Sequence, residues 1–222
     1  MHAPDLDTLP ITKSYPRLDP ARLVGDRRAL WDQLPRSYQA FLQRFNGGFL
    51  GDPQLCFRTQ VPFHKDGRLE RDSQVDVVAE LFGLPVTAHE QPDTPGDLLE
   101  LRDTHDAEGF LPRGVLAIGI CPGSSLLCLS TRSEDHGSVY FWDYYWRYPW
   151  SKPFFEPRIQ AAERRFPDLA AIRADPAHPQ RRAAQDALNY ATLVKLGGDF
   201  RDWLRTCWLE RPEHTTEEHT SA

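Results

Sequence analysis

The chain has 222 residues, long enough for one domain with its own core and no need of disulfide staples. Forty per cent of residues are hydrophobic and 26% are charged, the balance of an ordinary globular protein rather than a disordered or membrane-spanning one. The formal charge of −6 argues against broad attraction to nucleic acid and suits a basic protein partner, such as a phosphate-binding nuclease domain.

Residues 1–18 carry three prolines and no apolar run, so they read as a flexible or loosely packed arm with no secretory signal. No stretch is long and apolar enough for a membrane span, and the expected compartment is the cytoplasm. Asp19-Pro20 forms an N-cap and first-turn pair. The helix it opens runs to about Asp32, with Leu23, Leu30 and Trp31 on one face. Leu34-Pro35 opens a second helix. Tyr38, Phe41, Leu42 and Phe45 follow at i, i+3, i+4 and i+7, a single apolar stripe. Asn46-Gly47-Gly48 stops it, because these residues tolerate the left-handed conformation.

Phe49 to Arg58 has strand character broken at Gly51-Asp52-Pro53. Residues 59–74 are polar and read as a hairpin or loop. Val75 to Leu84 is compatible with strand or helix. Residues 85–109 are polar and acidic, with a short helix expected around Asp97 to Arg102. The segment 115–144 carries the strongest β pattern. Val115 to Ile120, Ser125 to Thr131 and Ser138 to Tyr144 are separated by the turn clusters Cys121-Pro122-Gly123-Ser124 and Glu134-Asp135-His136-Gly137. They predict an antiparallel meander. Phe141 and Trp142 point to opposite faces of their strand, so one is core and the other must be covered by helices or a partner.

Beyond Pro153, Arg158 to Ala171 and Gln180 to Leu196 read as helices. A last helix is expected over Phe200 to Leu209, and the residues from 210 onward as a disordered tail. The class is α+β, a mainly antiparallel sheet with helices packed against it. The domain reading is an arm at 1–18, one domain at 19–209 with a helical insertion at about 156–195, and a tail at 210–222.

The run Leu34-Pro35-Arg36-Ser37-Tyr38-Gln39-Ala40-Phe41-Leu42, followed by Phe45-Asn46-Gly47-Gly48, resembles the opening "LPxxYxxFLxxxNGG" of the SUKH superfamily. Leu111-Pro112 and Leu116-Ala117-Ile118-Gly119 resemble its next block. Pro122-Gly123, Leu127-Cys128-Leu129 and Val139-Tyr140-Phe141-Trp142-Asp143 follow in the family's order. Phe200 to Leu204 resembles the helix that closes the domain. Cys121, Ser124, Ser130 and Tyr144 stand where the family often has an acidic residue, glycine, an acidic residue and histidine. The superfamily holds fungal Smi/Knr-type cell-wall regulators and many bacterial immunity proteins. The resemblance therefore implies an α+β binding domain that neutralises a cognate protein toxin, possibly a nuclease, by occluding its active site. It implies no cofactor, no nucleic-acid partner and no membrane. A regulatory protein-binding scaffold is the alternative, and an enzyme on this fold a more distant one.

No GxSxG, HExxH, phosphate-binding glycine loop or dinucleotide fingerprint is present, and no catalytic residue is assigned. His105, Asp106 and Glu108 form the one compact His/carboxylate group, and it reads as a solvated loop rather than a metal site. Cys56, Cys121, Cys128 and Cys207 lack CxxC spacing and read as buried free thiols. Two features suit partner binding. Glu90 to Glu108 holds seven carboxylates against Arg102 alone, which marks Asp93, Asp97, Glu100, Asp103, Asp106 and Glu108 as candidates. The aromatic run from Tyr140 to Trp150 marks Tyr145, Trp146, Arg147 and Trp150, since such side chains anchor interfaces. Each feature also has a plain structural reading, as a solvated loop and as a strand exit packed under the inserted helices. Neutralising Asp97, Glu100 and Asp103 together is expected to slow association with little change in stability.

Overall fold

Helix α1 (Gly25–Gln33) and helix α2 (Arg36–Arg44) meet at Leu34-Pro35, where the extended backbone of both residues separates them. In this computed structural model the described residues are 4, 6–65, 68–87, 94–144 and 156–211; the side chains of 61–72 and 156–158 fall outside the description. The α2 stripe faces inward as its spacing requires: Tyr38, Phe41 and Leu42 are fully buried. The buried Tyr38 hydroxyl donates to the carbonyl of Phe82 at 2.9 Å, so its burial leaves no orphan donor. Asn46 ends the helix at φ +57°, and its side chain ties two distant segments together. Its amide donates to Pro16 O at 2.9 Å and accepts from Leu84 N at 2.8 Å. Gly47 lies so close to Gly83 that a Cβ would stand 2.6 Å from the Gly83 nitrogen. The Asn-Gly pair is thus both a helix stop and a close-approach site.

Among the described residues, ten strands form two sheets. In chain order they are β1 (Ile11–Thr12), β2 (Gly48–Leu50), β3 (Gln54–Lys65), β4 (Arg68–Val78), β5 (Glu80–Leu81), β6 (Val115–Ile120), β7 (Leu126–Ser130), β8 (Val139–Trp142), β9 (Val194–Gly197) and β10 (Trp208–Glu210). The larger sheet has the order β1-β2-β5-β6-β7-β8-β9, and all its pairings are antiparallel. The expected meander is its centre, β6-β7-β8. The smaller sheet has the order β10-β3-β4, with β3 and β4 a long hairpin across the polar stretch 59–74.

Every residue of β7 and β8 is buried, which an antiparallel sheet shows only where both faces are covered. On one face Phe141 meets Phe57 of β3 at 5.8 Å between ring centroids, and Phe57 meets Trp203 at 5.9 Å. On the other, Trp142 stacks on Phe110 at 4.7 Å. Phe141 and Trp142 are therefore both covered within the chain. Trp203 belongs to α7 (Phe200–Thr206), whose Phe200 packs on Tyr38 and Phe41. Helix α3 (Leu98–Glu108) lies along β6, and α4 (Glu156–Arg165), α5 (Leu169–Ala174) and α6 (Arg181–Ala191) follow the meander. These three helices share a small core of Ala162, Phe166, Leu169, Ile172, Ala184 and Leu188, joined to the main core through Ile159.

Four expectations are corrected. Residues 6–18 are not a loose arm: β1 pairs with β2, and Leu9, Tyr15 and Leu18 are buried. The helix expected from Pro20 to Asp32 is broken at Leu23-Val24 into a short 3-10 turn, Pro20–Arg22, and α1. The second inserted helix stops at Ala191, and Val194–Gly197 instead completes the free edge of β8. The closing helix stops at Thr206, because Trp208–Glu210 pairs with β3. In the last two cases a strand partner far away in sequence supplies hydrogen bonds that a helix end would lack. Residues 212–222, expected as a tail, lie outside the described residues. No helix among the described residues is long and apolar enough to cross a membrane. All four cysteines are free and buried.

Candidate interaction surface

Helix α3 carries most of the acidic segment and is fixed at both ends. At its start the Asp97 carboxylate accepts from Leu99 N at 2.9 Å, an N-cap bond that satisfies a first-turn donor. The same carboxylate takes both arms of the Arg27 guanidinium from α1, at 3.0 and 2.5 Å. At its end Gly109 adopts φ +71° and closes the helix. Its carbonyl accepts from Asn189 of α6 at 2.7 Å. The next residue, Phe110, then seats on Trp142.

Helical periodicity divides the side chains. Leu98 is buried, and Leu101 and His105 are half-buried on the same side. Glu100, Asp103, Asp106 and Glu108 are exposed, and they form the outward acidic face. Asp103 holds Arg102 at 2.7 Å, and Asp106 lies 3.8 Å from Arg182 of α6. Asp106 and Glu108 sit in the last turn, where the helix dipole disfavours negative charge. The face is therefore kept at an electrostatic cost, which Arg182 only partly offsets.

Asp97 is the exception among the acidic candidates. Its side chain is 5% exposed and already paired, so it is a clamp between α1 and α3, not a free rim charge. The expectation that its neutralisation leaves stability unchanged is corrected on that ground. Asp93, Tyr145, Trp146, Arg147 and Trp150 lie outside the described residues. Tyr144, just before that aromatic run, is exposed. His105 packs against Phe110 at 5.0 Å, and burial lowers its pKa despite Glu108 and Asp106 nearby. Among the described residues no group of three His, Cys, Asp or Glu side chains is placed to hold a metal ion.

A second cluster, unnoticed in the sequence, fastens the inserted helices to the meander. Asp135, in the turn between β7 and β8, accepts from Ser130 Oγ at 2.6 Å, Tyr140 Oη at 2.5 Å and Tyr190 Oη at 2.7 Å. Tyr190 comes from α6, and the Arg132 guanidinium lies 4.6 Å over its ring. Burial alone would raise the Asp135 carboxyl, but the three hydroxyl donors and Arg132 hold it below the usual carboxylate range. A depressed native pKa contributes stability above the unfolded-state pKa, and that contribution is lost as pH falls through the native one. Asp135→Ala should destabilise by about 2–3 kcal/mol, since it strands charge-assisted donors. In denaturant titrations the variant should also lose less stability than wild type on acidification below about pH 4. A variant with the wild-type acid limb would show that Asp135 is not the group that titrates.

A family model described as SMI1 / KNR4 family (SUKH-1) matches residues 30–158, which takes in α2, α3 and the whole meander. No curated protein and no solved structure matches this chain. The matched span ends as α4 begins, so most of the inserted helices and the clasp from Tyr190 lie beyond it.

Proposed function

We propose, on the premise that this chain belongs to the SMI1/KNR4 family (SUKH-1), that it is a non-enzymatic immunity protein that binds a cognate protein toxin and blocks its active site. The observation that carries the reading is the outward acidic face of α3, clamped by Arg27 at one end and by Asn189 at the other. A rigid row of carboxylates presents its charge with little ordering cost on binding. It would steer a basic toxin surface into encounter, an effect that acts on association rate and is screened by salt. A toxin that binds nucleic acid has the basic active-site surface such a row complements. This reading assigns no catalytic residue and no cofactor.

The test is stopped-flow association with the partner recovered from the native organism. The triple variant Glu100→Gln/Asp103→Asn/Asp106→Asn leaves Asp97 and its clamp intact. It should associate roughly tenfold more slowly at low salt, with a flatter dependence on ionic strength and a smaller change in dissociation rate. Wild-type association by the triple variant at low salt would remove α3 from the contact surface.

A further inference from the structure

Between the inserted helices and the outer edge of the meander lies an open cleft of about 940 Å3. Its residues come from the approach to β6, the β7–β8 turn, β8, α4, α6 and β9. Its charge is opposite to that of the chain. Among the described residues, Arg113, Arg132, Arg165 and Lys195 line it against Glu134 and Asp186, while the chain as a whole carries −6.

The cations differ in what already holds them. Arg113 is bound to Asp186 at 2.6 Å, and Arg132 lies 3.6 Å from Glu134 and 4.0 Å from Asp135. Arg165 and Lys195 are exposed and have no ion pair among the described residues. Arg132 is held in place by stacking over Tyr190 and by the absence of a side chain at Gly114, where a Cβ would stand 2.8 Å from the Arg132 Cγ. The far wall is not charged. Ala161 and Ala162 of α4 and Ala183, Ala187 and Ala191 of α6 make it shallow and apolar. Small side chains there keep the space open, where leucines would close it.

We infer that this cleft binds a small organic phosphate of the nucleoside diphosphate class, its phosphates among Arg132, Arg165 and Lys195 and its body against the alanine wall. Several separated cations suit a multiply charged group, because a single carboxylate satisfies one guanidinium fork and leaves the others unmatched. The volume points the same way. It lies in the range of sites for organic ligands, and a bare inorganic anion would leave most of it to water. The inference does not rest on the toxin reading, which concerns the face of α3, so either can fail alone.

The experiment is isothermal titration of the full chain with ADP, GDP and UDP, with pyrophosphate and adenosine as separate arms. At least one of the nucleotides should bind below about 1 mM, pyrophosphate more weakly and adenosine more weakly still. Arg165→Glu and Lys195→Glu, made singly and together, are surface changes that should leave the melting temperature near wild type. The double variant should weaken nucleotide binding by roughly tenfold or more. Three results would overturn the inference. They are no binding by any of the three nucleotides, binding indifferent to the double charge reversal, and pyrophosphate binding as tightly as the best nucleotide. The last would leave the alanine wall without a ligand to contact.

Discussion

Phe41→Ala should lower the unfolding free energy by about 3–5 kcal/mol, as aromatic-to-alanine changes in packed cores do. Phe41 is fully buried at the centre of α2. Its ring lies 5.3 Å from Tyr38, 5.4 Å from Phe200 and 6.0 Å from Phe45, so it touches both the helix stripe and the closing helix α7. Deleting it opens a cavity that the rigid Tyr38 hydroxyl bonds prevent from collapsing. The closing helix loses its seat at the same time, and with it the contact that holds Trp203 against Phe57. The denaturation midpoint reports the change, with an unaltered slope if only stability has moved. A midpoint equal to wild type would mean that the stripe does not face the core.

The second large effect is expected at Arg27. The Arg27 and Asp97 side chains are 12% and 5% exposed, which makes theirs the most deeply placed ion pair among the described residues. Arg27→Met removes the charge but keeps an apolar stem. Asp97 is then left buried with one backbone donor, Leu99 N, and breaking such a pair costs about 3–5 kcal/mol. The exposed pair Arg28–Asp32 is the control, where Arg28→Ala should cost well under about 1 kcal/mol. Adding Asp97→Asn to Arg27→Met should restore part of the stability, because asparagine still caps the helix and carries no charge to bury. If the double variant is less stable than Arg27→Met alone, charge burial is not the cost at this site.

Much of the core was legible because its signals are local. The stripe Tyr38, Phe41, Leu42 and Phe45 shows its face in its own spacing, and the meander shows its strands between the turn clusters at Pro122-Gly123 and His136-Gly137. What escaped the sequence depends on distant partners. Val194 to Leu196 continues a helical pattern until β8 offers an edge, and Trp208-Leu209 does so until β3 offers one. The acidic face of α3 could be read from composition. The withdrawal of Asp97 from it could not, because Arg27 stands 70 residues away. The same distance hides the Asp135 clasp, whose Tyr190 lies 55 residues on, and the basic cleft, whose cations are scattered from 113 to 195 in an acidic chain.

Growth of cells producing the co-purified partner tests most directly whether this chain neutralises a toxin, as proposed. The partner alone should arrest growth, and co-production of the wild-type chain should restore it. The triple variant at Glu100, Asp103 and Asp106 should protect less well when the chain is limiting. A partner that is harmless on its own, or one whose toxicity is unchanged by the wild-type chain, would contradict the claim.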